Sequence, residues 1–219
     1  MDSRQLQYQR NCEILAKYLP ELAVPLMARW IVEYDFKLRI RPERSTRLGD
    51  YTPPVNRENH LITVNHNLNK YAFLITLVHE VAHLVTYNEY RNKVQPHGVE
   101  WKRNFQKLMQ PFLSTDIFPL EVFAALRAYM QNPAASSCTD DRLLRTLKLH
   151  DDENGTVFLE RIPPGSEFLF QGNRVFVKGE RLRKRFKCRE LATGQVYLFN
   201  PLVEVELFRE GFTGRSGAA

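Results

Sequence analysis

The sequence predicts an α+β protein in which a mainly helical domain precedes a small antiparallel β domain. Apolar residues recur at helical spacing through most of residues 3–131. After Asp151 the pattern changes to short β-rich runs between turn sequences such as Pro163-Pro164-Gly165. We therefore predict four segments: a first domain at 1–135, a linker with a short helix at 136–155, a β domain at 156–210 and a disordered tail at 211–219.

The first elements follow from local patterns. Helices are predicted at 3–19 and 21–33, where apolar residues recur every three or four positions. Alternating apolar and polar residues predict a half-buried strand at 34–40, and residues 45–51 are expected to pair with it. A further short strand is predicted at 61–64.

Residues 69–90 are apolar on nearly every side, which predicts a buried central helix. Further helices are predicted from Trp101 to Pro111, at 119–131 and near 140–148. The β domain has five predicted strands, in the runs 156–162, 167–170, 174–177, 181–188 and 196–199.

The composition excludes several classes of protein. With 43% hydrophobic and 26% charged residues among 219, the chain has material for a core but no apolar run long enough to span a membrane. The N-terminus lacks the apolar segment of a secretory signal. Cys12, Cys138 and Cys188 are far apart and form no C-x-x-C pair. We expect a cytoplasmic protein without a disulfide framework.

The central helix carries the motif His79-Glu80-Val81-Ala82-His83. Histidines four residues apart project from one helix face and can bind one zinc ion together. Zinc lowers the pKa of a bound water to about 7, and Glu80 can take its proton and pass it to a leaving amine. The alternative is a core histidine beside an exposed glutamate, but burying these three polar side chains without a metal would be costly. We expect a hydrolase with one Zn²⁺ per chain.

A catalytic zinc site needs a third protein ligand. His97, between Pro96 and Gly98, is favoured because imidazole suits zinc, while Glu100 and Glu89 are the carboxylate alternatives. The remaining histidines lie in predicted loops or outside the expected core and are poorer candidates: His60, His66 and His150.

The motif and the later Pro96-His97-Gly98-Val99-Glu100-Trp101 together resemble the SprT-like metalloprotease family. This family includes Spartan-type enzymes that degrade proteins crosslinked to DNA. The resemblance covers about residues 1–130 and implies a zincin-like fold, metal ligation by His79, His83 and His97, and catalysis by Glu80. Bacterial members often end in a zinc ribbon with two cysteine pairs, which this chain lacks. The resemblance therefore implies a metal-free, ribbon-like sheet at 156–206.

Basic residues are concentrated in two windows of a chain with net charge +6. Five basic residues stand against one acidic residue at 37–47, and seven stand against two at 178–190. In a strand at 181–188, alternation places the odd-numbered basic positions on one face. We expect a nucleic-acid-binding face there, with a solvated strand face as the alternative. Its residues are Arg181, Arg183, Arg185, Lys187 and Arg189.

Three functions are compatible with these features. The leading hypothesis is a zinc metalloprotease that hydrolyses proteins on nucleic acid, with DNA as a further partner and no membrane contact. The second is a nucleic-acid-binding or transcription-associated protein with a structural, non-catalytic zinc. The third is a peptidase for small peptides. The sequence leaves the physiological substrate and the oligomeric state open.

Overall fold

The computed structural model describes residues 2–44, 47–54, 59–134, 140–151 and 155–208. The chain forms two compact units, Met1–Asp151 and Asp152–Ala219. The first is mainly helical and the second is built from strands, so the α+β class is confirmed. Among the described residues, no helix is long and apolar enough to cross a membrane. The tail predicted at 211–219 lies outside the described residues.

The first unit contains six helices and a small sheet among its described residues. Each helix predicted from the sequence is present, although the first ends at Leu15 rather than at residue 19. The elements are α1 Ser3–Leu15, α2 Val24–Glu33, β1 Phe36–Arg41, β2 Gly49–Thr52, β3 His60–Asn65, α3 Lys70–Tyr90, α4 Val99–Met109, α5 Leu120–Tyr129 and α6 Asp141–Lys148.

The three strands have the order β1-β3-β2, with β1 parallel and β2 antiparallel to β3. The prediction that 45–51 pairs with the strand at 34–40 is wrong, because β2 pairs with β3 and places Tyr51 opposite Ile62. Five of the six residues of β3 are buried, so this strand takes the central position, where both faces are covered. Strand β2 is left at an edge of the sheet.

Helix α3 is the buried centre of the first unit, as predicted. Thirteen of its 21 residues are buried, and they lie on all sides of the helix. Asn69 caps its N-terminus by accepting hydrogen bonds from the backbone N–H groups of Tyr71 and Ala72. Helix α4 packs against α3, and Asn104 donates hydrogen bonds to Thr86 at 3.1 Å and to Glu89 at 2.9 Å.

The helix expected within the linker is α6, which belongs to the first unit. Its Leu143 and Leu147 side chains lie in the same core as α3. Asn69 Nδ2 also donates a hydrogen bond to the carbonyl of Leu147 at 2.9 Å. The two units therefore divide at 151/152, after this helix, rather than at residue 135.

The second unit is an antiparallel sheet with the strand order β4-β9-β5-β6-β7-β8. Its core is aromatic, and Cys188 is fully buried among Phe168, Phe176 and Phe186. The last strand, β9, was not predicted, because it is four residues long and buries only Val205. The strands are β4 Thr156–Phe158, β5 Glu167–Phe170, β6 Arg174–Arg181, β7 Phe186–Glu190, β8 Val196–Phe199 and β9 Glu204–Leu207.

The prediction of one strand at 181–188 is wrong, because β6 ends at Arg181 and a tight turn joins it to β7. The backbone N–H of Leu182 donates to the Arg185 carbonyl at 2.7 Å across this turn. The pairing also shifts register between Lys178 and Arg181, next to Gly179, where a Cβ atom would lie 2.6 Å from the Lys187 carbonyl oxygen. Such a bulge twists the ribbon sharply and lets the chain turn back.

Candidate metal centre

The two histidines of the motif lie one turn apart on α3, and His97 reaches them from the loop between α3 and α4. The three Nε2 atoms face one another. His83 Nε2 lies 2.9 Å from His97 Nε2, and His79 Nε2 lies 3.2 Å from each of the other two. Among the described residues, these three histidines form the cluster of side chains that could hold a metal ion.

The backbone of the loop before α4 is what turns His97 inward. His97 has a φ of 68°, in the left-handed region that non-glycine residues rarely adopt. The N–H of Gly98 donates to the Gln95 carbonyl at 2.9 Å, and a Cβ atom at Gly98 would come within 3.0 Å of that oxygen. The Pro-His-Gly sequence therefore fits a tight turn that ends at the N-cap of α4.

Hydrogen bonds among the histidines cannot account for all three contacts. A neutral imidazole nitrogen is either a donor or an acceptor, so at least two of the three Nε2 atoms must have the same role and repel each other. A cation between them would accept all three lone pairs. Nitrogen ligands of tetrahedral zinc lie about 3.3 Å apart, and the observed N···N separations of 2.9–3.2 Å are slightly shorter than this spacing.

Burial keeps the three imidazoles neutral. It lowers the pKa of His79 to about 2 and that of His83 to about 3, with smaller contributions from the neighbouring histidines. Burial also lowers the pKa of His97. At neutral pH all three rings are therefore unprotonated, which is the state in which histidine binds metal ions.

Trp101 packs against all three histidine rings and restricts their positions. Its indole is fully buried in the first turn of α4, and its centroid lies 4.6 Å from that of His79, 5.3 Å from His83 and 4.7 Å from His97. Phe105, one turn later, packs against His79 at 5.5 Å. Aromatic packing of this kind leaves the histidine rings few alternative rotamers.

Glu80 is buried next to the cluster, under the edge strand β2. A Cβ atom at Gly49 would lie 2.6 Å from Glu80 Oε1, so only glycine allows β2 to approach this closely. Burial, with a smaller contribution from Asp50, raises the pKa of Glu80 to about 8, although Arg44 and Arg47 oppose the rise. In the absence of a metal, the Glu80 carboxyl group is therefore mostly protonated at neutral pH.

The metal cluster and Glu80 open into one cleft of about 500 Å³. Strand β2 and the residues flanking it form one wall, and the end of α3 with the following loop forms the other. Tyr51 of β2 lies in this wall, with its hydroxyl 2.8 Å from His60 Nδ1 and its ring parallel to that of His83. The site thus combines three nitrogen donors, a carboxyl group and open space for a ligand.

The other candidates from the sequence lie outside the cluster. Glu89 accepts a hydrogen bond from Asn104, and Glu100 is half-buried near Gly98; neither belongs to the group that could hold a metal. His60 contacts Tyr51, His66 is exposed, and His150 lies 3.0 Å from Glu121.

The predicted basic residues lie in the second unit, at the end of β6, in the turn that follows it and along β7. All five are exposed: Arg181, Arg183, Arg185, Lys187 and Arg189. Lys187 forms an ion pair with Glu180 at 2.6 Å. Leu182 is an even-numbered position, which alternation along a single strand would place on the opposite face. It is 37% exposed because it lies in the turn.

Sequence reasoning missed three contributors to the site: Gly49, the contact of Trp101 with all three histidines, and Arg91, which lines the cleft. A signal existed for Gly49, since glycine inside a strand often marks close approach of another chain segment. The other two depend on packing between α3 and α4 and have no local signal.

The SprT-like family matches residues 29–122, a segment that runs from α2 to α5 and contains the whole cluster and Glu80. The resemblance inferred from the sequence is confirmed over these residues, which are less than half of the chain. Comparisons with characterised proteins and with solved structures gave no match.

The third ligand can be tested by metal content. We expect His97→Ala to lower the zinc bound per chain, because it removes one of three converging nitrogen atoms. Glu100→Ala is the matched control and should retain the wild-type content, since Glu100 lies outside the cluster. Atomic absorption on purified proteins measures both. Zinc loss in Glu100→Ala with retention in His97→Ala would contradict the assignment.

The raised pKa of Glu80 predicts a pH dependence of stability in metal-free protein. The pKa of a glutamate side chain in water is 4.5, and that of Glu80 in the folded protein is about 8, so folding takes up a proton between these values. The free energy of unfolding contributed by this group should therefore fall as the pH rises through this window, by at most about 1.4 kcal/mol per pH unit.

Glu80→Gln isolates this contribution, because it keeps the histidines, whose lowered pKa values change stability with the opposite sign. Urea denaturation in the presence of a chelator should show wild type losing stability relative to Glu80→Gln as the pH rises. Parallel profiles would mean that Glu80 ionises normally in the folded protein.

Proposed function

We propose that this chain, whose residues 29–122 match the SprT-like family, is a zinc-dependent metalloprotease that hydrolyses peptide bonds. The observation that carries the proposal is the convergence of three histidine Nε2 atoms beside a buried carboxyl group in one open cleft. His79, His83 and His97 would hold the zinc, and Glu80 would be the catalytic acid and base.

Zinc bound by these histidines would polarise the peptide carbonyl and activate a water molecule for attack. The carboxylate of Glu80 would take the proton of the attacking water and pass it to the leaving amine. A nearby positive charge favours the ionised form of a carboxyl group. Metal loading would therefore convert Glu80 from a protonated acid, with a pKa of about 8, into a base at neutral pH.

An extended peptide is the substrate that the cleft would fit. Strand β2 pairs on one side with β3, and no other described strand pairs with its outer side. Backbone N–H and C=O groups at a sheet edge can bind an extended peptide as an additional strand. Because β2 borders the metal cluster, such a peptide would pass over Glu80 and the three histidines.

The number of ligands argues against a purely structural metal. Structural zinc sites are closed by four protein ligands, whereas catalytic sites have three and an open position. The described residues bring together three histidines and no fourth ligand atom. A nucleic-acid-binding protein with a structural zinc is therefore the less favoured alternative.

DNA is the proposed additional partner, so that the substrates would be proteins associated with nucleic acid. The support is the group of exposed basic residues around the β6–β7 turn. The same proposal includes a zincin-like fold for the first unit, a ribbon-like origin for the second and a cytoplasmic location. Cys12 and Cys188 are free thiols, which fits a reducing compartment.

Glu80→Gln tests the mechanism most directly. Glutamine keeps the size and polarity of the side chain but cannot accept a proton, so hydrolysis of casein or histone should fall by roughly 10²–10⁴. Zinc content should remain at the wild-type level. His79→Ala is the contrasting variant and should lose both zinc and activity. Hydrolysis by Glu80→Gln at the wild-type rate would show that Glu80 is not the base.

Charge reversal tests the proposed DNA contact. The triple variant Arg183→Glu, Arg185→Glu and Arg189→Glu should bind DNA more weakly. Each lost phosphate contact should also reduce the salt dependence, by roughly 0.7–0.9 in the slope of log K against log salt.

The triple variant Arg4→Glu, Arg10→Glu and Lys17→Glu is the matched control. It changes the net charge equally, but at exposed positions within α1 and just after it. Fluorescence anisotropy at several salt concentrations measures both proteins. If wild type and the variant at Arg183, Arg185 and Arg189 have the same DNA affinity and the same salt dependence, these basic residues are only a solvated surface.

A further inference from the structure

Arg91 is an exposed cation in the wall of the cleft, directly after the last residue of α3. Its backbone N–H donates to the Tyr87 carbonyl at 2.7 Å and closes the helix. Its guanidinium carbon lies 5.1 Å from the centroid of the Tyr87 ring. This stacking restricts where the long side chain can place its charge.

The charge of Arg91 is not neutralised by a carboxylate among the described residues. The other arginine of the cleft, Arg47, forms an ion pair with Asp50 at 2.6 Å. The guanidinium of Arg91 contacts the Tyr87 ring, and its positive charge also acts on Tyr51 in the opposite wall. Burial raises the pKa of Tyr51, and the positive charge of Arg91 opposes that rise. Arg91 therefore brings a positive charge to the wall of the cleft that it lines.

The backbone at Arg91 is strained. Its φ of 54° and ψ of −136° lie in a region that glycine adopts easily and other residues rarely adopt. A long charged side chain therefore occupies a position where glycine would relieve the strain. Residues in such conformations cluster at binding and catalytic sites.

Helix geometry gives the spacing along α3 between the backbone positions of Arg91 and of His83, one of the three cluster histidines. Arg91 follows His83 by eight residues, which is about 12 Å at 1.5 Å per residue. An extended peptide advances about 3.3 Å per residue. A peptide lying along the cleft would therefore bring its third or fourth residue from the cleaved bond to Arg91.

We propose that Arg91 is a specificity-determining residue that binds an aspartate or glutamate side chain of the substrate, three or four residues from the cleaved bond. This inference rests on the proposed protease function and names the substrate class that the cleft prefers. An arginine fork can form two hydrogen bonds with one carboxylate, which makes the preference directional as well as electrostatic.

The test is a series of otherwise neutral peptides in which one aspartate is moved along the chain on either side of the cleaved bond. Zinc-loaded wild type should cleave best when the aspartate is three or four residues away on one side. The expected gain in kcat/KM over the all-neutral peptide is roughly three- to fivefold, as for an exposed ion pair. Arg91→Ala should reduce this ratio to about one, and Arg91→Glu should favour a lysine at the same position.

Lys93→Glu is the matched control. Lys93 is an exposed cation two residues later that does not line the cleft, so the ratio should remain at the wild-type value. A ratio that does not depend on aspartate position, or that persists in Arg91→Glu, would overturn the inference.

Binding measurements separate this inference from the proposed function. Zinc-loaded Glu80→Gln protein can be titrated with the same labelled peptides, without any hydrolysis. If wild type cleaves none of the peptides, the protease proposal fails. Position-dependent binding that is lost in Glu80→Gln/Arg91→Glu protein would still support Arg91, and uniform binding would overturn its role.

Discussion

The first unit is organised around one constraint: three polar side chains of the metal-binding motif are held within its buried central helix. His79 and Glu80 are buried and His83 is nearly so, while the residues around them pack in the central core. Buried polar groups are costly without partners. The surrounding elements shape the site around these groups. Trp101 of α4 packs against the rings, the loop before α4 contributes His97, and Gly49 allows β2 to cover Glu80.

Burial acts on the acid and the bases of the site in opposite directions. It lowers the pKa values of the histidines and raises that of Glu80, so that all of them are mostly uncharged at neutral pH without a metal. A divalent cation would be stabilised by the histidine lone pairs and would favour the ionised carboxylate. The low polarity of the interior thus has two effects. It keeps the histidines in the neutral form that binds metal ions, and it makes the basicity of Glu80 depend on a bound metal.

The two units concentrate charge in different ways. In the cleft of the first unit, Arg47 is paired with Asp50, whereas the guanidinium of Arg91 contacts an aromatic ring instead of a carboxylate. One fixed cation of this kind suits a single acidic side chain at a defined distance. In the second unit, several exposed cations surround the β6–β7 turn, and an aromatic core holds the strands behind it. A group of exposed cations suits a repeating polyanion, whose phosphates need no exact register.

The helices, most strands and the histidine pair could be predicted from the sequence, because they follow from local periodicity. A helix places residues four apart on one face whatever surrounds it, so His79 and His83 could be paired without a structure. The strand pairing, the position of the turn between β6 and β7 and the residues that complete the site beside the motif could not be predicted in this way. The pairing of β2 with β3 depends on which strand is buried on both faces, and the contact of Trp101 with the histidines depends on how α4 packs against α3. These contacts join residues far apart in the chain, and their energies depend on shape and burial that no local pattern contains.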